Sequence, residues 1–465
     1  MRTPSGAAVE PPEMMFIVRS NIDGIDPATR KQIRSHARHG KKGKRETKKM
    51  ATFRPKEKRA TVKLRDVVDS YMSLQPGRVG TRMYFVDFPS EIEPSMLIKM
   101  AEVSTVAMRI IFPLLMGIGF HPDGKAWLYP TGRDIVALHI NAFAIQSFID
   151  RILNQQPAHM VNSVAILHHQ KGLMLLQRRL VAEDDEAKLS DDTISAILKL
   201  ATAAIFDGDA DVAKKHMQGL RKMVDLRGGL GGFGANPKLL VELWRCDLGI
   251  ALLTTSEPTF YAHLAEPVPD YPDQVASSFG PKSCCIQDPT FLHDLHTDLV
   301  EAWRITKKFC LLTNLGTQTQ TLVEPAIIYG TMTAVMYRLV RMSFAAGSLD
   351  ETVRLGLLAF THHIFLQWKD VHIPRHGFEY HYRQYLALHQ DSNTISPLLM
   401  LWLLMIGEVS KFWGLDEPWP PKRFRREIER GNVKSLKDLQ EVLKAHMWIS
   451  LLDDEAAQLA WHRYL

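Results

Sequence analysis

Residues 210–230 read ADVAKKHMQGLRKMVDLRGGL, and their apolar positions recur at the helical period. Ala213, Met217, Leu220, Met223 and Val224 fall on one face, with Lys214, Lys215, Arg221 and Lys222 opposite. Gly228 and Gly229 supply the stop, because glycine enters the left-handed region without a Cβ penalty. Arg227 in the last turn suits the negative end of the helix dipole. Gly219 in mid-helix costs about 1 kcal/mol relative to alanine, which predicts a neighbouring helix packed closely against it. The stretch predicts one half of a packed helix pair.

The same three-and-four spacing extends outward in both directions. Upstream it runs through 94–117, 132–153, 158–181 and 190–206, with Ser190 or Asp191 as a cap for the last of these. Downstream it resumes at Asn236, with Pro237 in a first turn, and recurs in segments beginning near Pro289, Glu324, Leu349, Ser396 and Lys434, Pro325 marking another first turn. No strand alternation and no βαβ unit interrupts it. The fold expected is all-α, a multi-helical array of antiparallel helix pairs. A segment rich in Pro, Ser and Gly at 257–288 breaks the array and reads as a surface excursion or lid.

Charge divides the chain differently. From Arg30 to Arg65 there are sixteen Lys and Arg against two Glu, a local charge of +14, while the whole chain carries +6 and residues 66–465 carry −6. Residues 1–65 hold too few aliphatic side chains to offset the entropy of ordering, so they read as a disordered basic arm. A transitional segment follows at 66–93, then the helical domain at 94–465. The arm residues placed to meet phosphates or the acidic groove of an import receptor are Arg30, Lys31, Arg34, Arg38, Lys41, Lys42, Lys44, Arg45, Lys48 and Lys49. With no folded reading module beside it, the run fits import or sequence-indifferent phosphate contact better than specific base recognition.

Several chemistries find no motif. RGGLGGFG at 227–234 formally matches GxGxxG at Gly229, Gly231 and Gly234, yet a helix precedes it where a dinucleotide site needs a strand. The histidines His362, His363, His372, His376, His381 and His389 lack the spacing of an HExxH zinc site and read as surface or core residues. Cys246, Cys284, Cys285 and Cys310 form no CxxC pair and suit a reducing intracellular compartment. GxSxG and GxxxxGK[ST] are absent, as are a secretory leader and a membrane-spanning run. The expectation is a non-enzymatic protein with no cofactor and no metal.

The 210–230 stretch also resembles the signature of the fungal-specific transcription factor domain family, through His216, Gly219, Leu220, Met223, Arg227, Gly228 and Gly229. Asp26, Pro27, Arg34, Ser35 and His36, at the opening of the basic run, are similar to the opening of many such proteins. The resemblance implies a helical regulatory domain that in the family follows a zinc-cluster DNA reader. The six cysteines of that reader are missing here, so regulation through protein partners is what it implies for this chain. Nuclear localisation, an import receptor and regulatory proteins as partners, and DNA contact through the arm complete the expectation. The alternative is a helical scaffold or small-molecule-responsive module that binds no DNA.

Overall fold

In the computed structural model, the described residues are 96, 100, 103, 110–118, 134–154, 156–157, 160, 162–234, 236–261, 267–277, 288–366, 377–389, 395–414 and 417–465. All belong to the unit Val62–Leu465. The basic arm and the segment 66–93 lie outside them. Among the described residues every regular element is helical and there is no strand.

The helices run in chain order as α1 Pro113–Ile118, α2 Ile135–Ser147, α3 Ser163–Val181, α4 Asp185–Lys188, α5 Asp191–Asp207, α6 Ala210–Leu226, α7 Pro237–Thr254 and α8 Asp273–Ser277. They continue as α9 Thr297–Thr319, α10 Pro325–Arg341, α11 Leu349–Thr361, α12 Gly377–Leu388, α13 Pro397–Val409, α14 Trp419–Arg430, α15 Leu436–His446 and α16 Ser450–Tyr464. Single π-turns extend α2 and α11, at Phe148–Leu153 and His362–Leu366. Successive helices pack on one another across short connections, as α2 does on α3, α5 on α6, α9 on α10 and α10 on α11.

Local chemistry sets these boundaries. Ser190 caps α5 by accepting from the Thr193 amide, and Gly208 ends it in a left-handed conformation at φ 78°. Asp209 immediately caps α6, so Gly208 and Asp209 alone turn the hairpin. Pro237, Pro325 and Pro397 sit in the first turns of α7, α10 and α13, where a missing N–H costs nothing.

The main apolar cluster of the described residues runs from Phe112 to Tyr464, and a smaller one joins Met96 and Met100 to Leu138 and Ala142 of α2. At its centre is α13, where Leu399 to Ile406 are all buried. A helix apolar all round has no solvent face to offer and must be surrounded. Here α11, α14, α15 and α16 surround it. Gly356 of α11 admits this packing, since a Cβ there would lie 2.6 Å from Leu403 and 2.7 Å from Trp402.

The 257–288 segment is a strap rather than a free excursion over its described parts. Pro258, Phe260 and Val275 are buried. Arg221 donates to the Thr259 carbonyl at 3.1 Å, Arg338 to that of Pro269 at 2.6 Å, and Lys308 to that of Ala276 at 2.6 Å. The strap also contains α8, which packs on α9 and α10.

Candidate functional site

The signature residues come together on the α5–α6 hairpin. Ala213, Met217, Leu220, Met223 and Val224 are the buried residues of α6, as its periodicity predicts. Gly219 corrects the expectation of close packing. It is exposed, and an added Cβ would meet nothing within 4 Å. Its neighbour in the chain, Leu220, makes the contact with the core.

Arg227 does more than face the helix dipole. Its guanidinium donates to Asp191 at the start of α5 and to the Leu189 carbonyl at 3.3 Å, and it lies 4.3 Å over the Phe233 ring. Asn236, the cap of α7, donates to the other oxygen of Asp191 at 2.9 Å. One ion pair thus fixes the end of α6, the start of α5 and the start of α7. Gly228 and Gly229, at φ 94° and 87°, turn the chain sharply enough to present Leu230–Phe233 beneath that guanidinium. This turn follows a helix, so the glycine run is a helix stop and carries no dinucleotide geometry.

Beside this node is an open cleft of about 510 Å³ lined by Asp185, Glu186, Leu189, Ser190, Asp191 and Arg227. Five of its six lining residues carry polar or charged side chains, among them three carboxylates around one guanidinium that Asp191 already engages.

Other titratable groups are tied to structure. Asp247 of α7 is buried and accepts from the amides of Thr259 and Phe260 at 2.6 and 2.9 Å and from the Tyr337 hydroxyl at 2.9 Å. Burial pushes its carboxyl up to about 6 despite those three donors. Lys307 of α9 donates to the Lys444 and Ala445 carbonyls at the end of α15, and burial brings its ammonium down to about 8. His216 and His169 are both held below the ordinary imidazole value, chiefly by burial, and His169 adds to the effect on His216. Burial raises the thiols of Cys246 and Cys310, which disfavours a thiolate nucleophile at either. Of the histidines singled out, His363 pairs with the buried Asp453 at 2.6 Å, His389 contacts the Tyr385 carbonyl at 2.7 Å, and His372 and His376 lie outside the described residues. Among the described residues no three His, Cys, Asp or Glu side chains converge as metal ligands.

A second cationic segment escaped the sequence reading because the body is acidic on average. Residues 421–437, PKRFRREIERGNVKSLK, carry seven Lys and Arg against two Glu. Within α14, Glu427 is fully buried, with Arg423 Nε 2.9 Å, Arg430 Nη1 2.7 Å and Arg426 Nε 3.8 Å from its carboxylate oxygens. One carboxylate therefore faces three guanidinium groups. Arg430 is exposed, and so are Lys422, Arg425, Lys434 and Lys437 around the cluster. Counting charge in short windows rather than over the whole body would have found this face. The ten arm residues from Arg30 to Lys49 lie outside the described residues. Comparisons with protein-family models, with curated proteins and with solved structures find no match for this chain.

Proposed function

We propose that the chain is a nuclear, transcription-regulator-like protein, a helical domain that acts through protein partners and contacts nucleic-acid phosphates without reading sequence. Charge placement carries the reading. The arm holds +14 within residues 30–65, ahead of a domain whose net charge is negative. The exposed cations of α14 and its flank supply a second, folded phosphate-facing surface. Cationic groups of this kind bind by releasing counterions, which needs no base contact. The signature residues His216 to Gly229 have a supporting role in this reading: they brace α5, α6 and α7 and leave recognition to other surfaces.

The test has two arms. A fluorescent fusion of the full chain accumulates in nuclei, and the same fusion lacking residues 30–59 loses that accumulation. Unchanged accumulation refutes the import role. Affinity for duplex DNA falls by about a thousandfold or more between 50 and 200 mM salt and is indifferent to sequence, as expected for roughly six or more phosphate contacts. A preferred site that survives high salt would instead establish direct base reading, and no binding at low salt would remove the DNA contact altogether.

A further inference from the structure

Among the described residues, helix α3 packs one of its faces on the body. Ala165, His168, Gly172 and Leu176 are its buried residues, and they meet α2. At Gly172 an added Cβ would lie 2.7 Å from Ile140, so the two helices approach closely. The outer face carries three adjacent apolar pairs at seven-residue intervals: Ile166–Leu167, Leu173–Met174 and Leu180–Val181. All six are exposed, Leu167 to 63% and Val181 to 77%. Between the pairs lie Gln170 and Gln177, also exposed. Seven-residue spacing keeps one seam of a helix facing a second helix along its whole length.

The stripe is its own complement when reversed. About a two-fold axis passing between Leu173 and Met174, each of these meets the other in a second copy. Ile166 then meets Val181, Leu167 meets Leu180, and Gln170 meets Gln177, whose side-chain amides can both donate and accept. Reciprocal pairing of this kind is what an isologous two-fold interface requires, and a different protein would have no need of it. The same orientation brings Glu183 and Asp184 beside Ser163 and Val164 of the other copy, where carboxylates favour the positive end of a helix.

The area is also suited to self-association. The six apolar residues and two glutamines expose roughly 750 Å² per protomer, against about 800 Å² per partner in a standard stable interface. The six apolar residues alone expose roughly 600 Å², at the upper end of the largest apolar patch that a monomer ordinarily leaves open. We propose that α3 is the seam of a two-fold, antiparallel homodimer of this chain.

Sedimentation of the full chain at micromolar concentration tests this directly, with a dimer expected. Leu173→Glu combined with Met174→Glu places four carboxylates at the axis and weakens the dimer by about a hundredfold or more. Both residues are exposed, so unchanged far-ultraviolet circular dichroism, and an unchanged urea midpoint at concentrations low enough for both proteins to be monomers, show that the fold survives. Orientation is read by oxidation in a background with Cys284 and Cys285 changed to serine. There Leu173→Cys cross-links between copies, and Leu167→Cys does so only when mixed with Leu180→Cys. A monomer at all concentrations, a dimer indifferent to the two glutamates, or a cross-link of Leu167→Cys with itself overturns the proposal.

Discussion

Replacing Asp247 with asparagine tests whether burial or hydrogen bonding controls the carboxylate beneath the strap. Three donors reach it, and each alone would hold its proton affinity down. Burial nevertheless wins, and the group is raised from 3.8 to about 6. At about 1.4 kcal/mol per pH unit, a rise of about two units means that the charged form costs the folded state about 3 kcal/mol at neutral pH. A carboxyl raised on folding binds its proton in the folded chain before the unfolded chain does. Stability therefore rises as pH falls through 6 and levels off below about 4. An asparagine at this position cannot titrate, so the difference between wild type and Asp247→Asn isolates this one group from every other acid. Urea denaturation of both proteins, repeated from pH 7 to pH 4, should show the wild type gaining about 2 kcal/mol on the variant. A difference flat to within about 0.5 kcal/mol would refute the desolvation argument, given the precision of such extrapolations. A difference of opposite sign would show that the three donors outweigh burial.

Two further outcomes follow from the packing. Gly219→Ala should raise stability by about 0.5–1 kcal/mol in urea denaturation, because the new Cβ enters open space and helix propensity improves. A loss of stability there would mean that the outer face of α6 is covered. Glu427→Ala should cost about 3–5 kcal/mol by the same measurement, since it leaves the buried Arg423 and its neighbours without their shared carboxylate. A cost below about 1 kcal/mol would mean that the three arginines find solvent instead.

The helical class was legible because it rests on period and caps, which are local. Ser190, Gly228 and Gly229, and the prolines of α7 and α10 mark the same boundaries in the sequence and in the fold. The buried face of α6 was legible for the same reason, its five apolar residues being those that the core takes. Gly219 was misread because a mid-helix glycine signals close approach only when a neighbour is present, and the sequence of α6 does not say which side has one. The role of Arg227 was also out of reach. Its partner Asp191 is far from it in the chain on one side, Asn236, which donates to the same carboxylate, is near on the other, and only the hairpin turn unites them.

The surfaces divide along the same line. Amino-acid order alone set the helical period, the segregation of positive charge into residues 30–65 and the stop at Gly228 and Gly229. Each of these depends on neighbours within a few residues or on simple counting. Tertiary packing decided which of the two apolar faces of α3 is covered, that α13 lies at the centre, and that Glu427 gathers three arginines. Those outcomes depend on which helix lies beside which, and contacts between residues distant in the chain become defined only when the core closes around them.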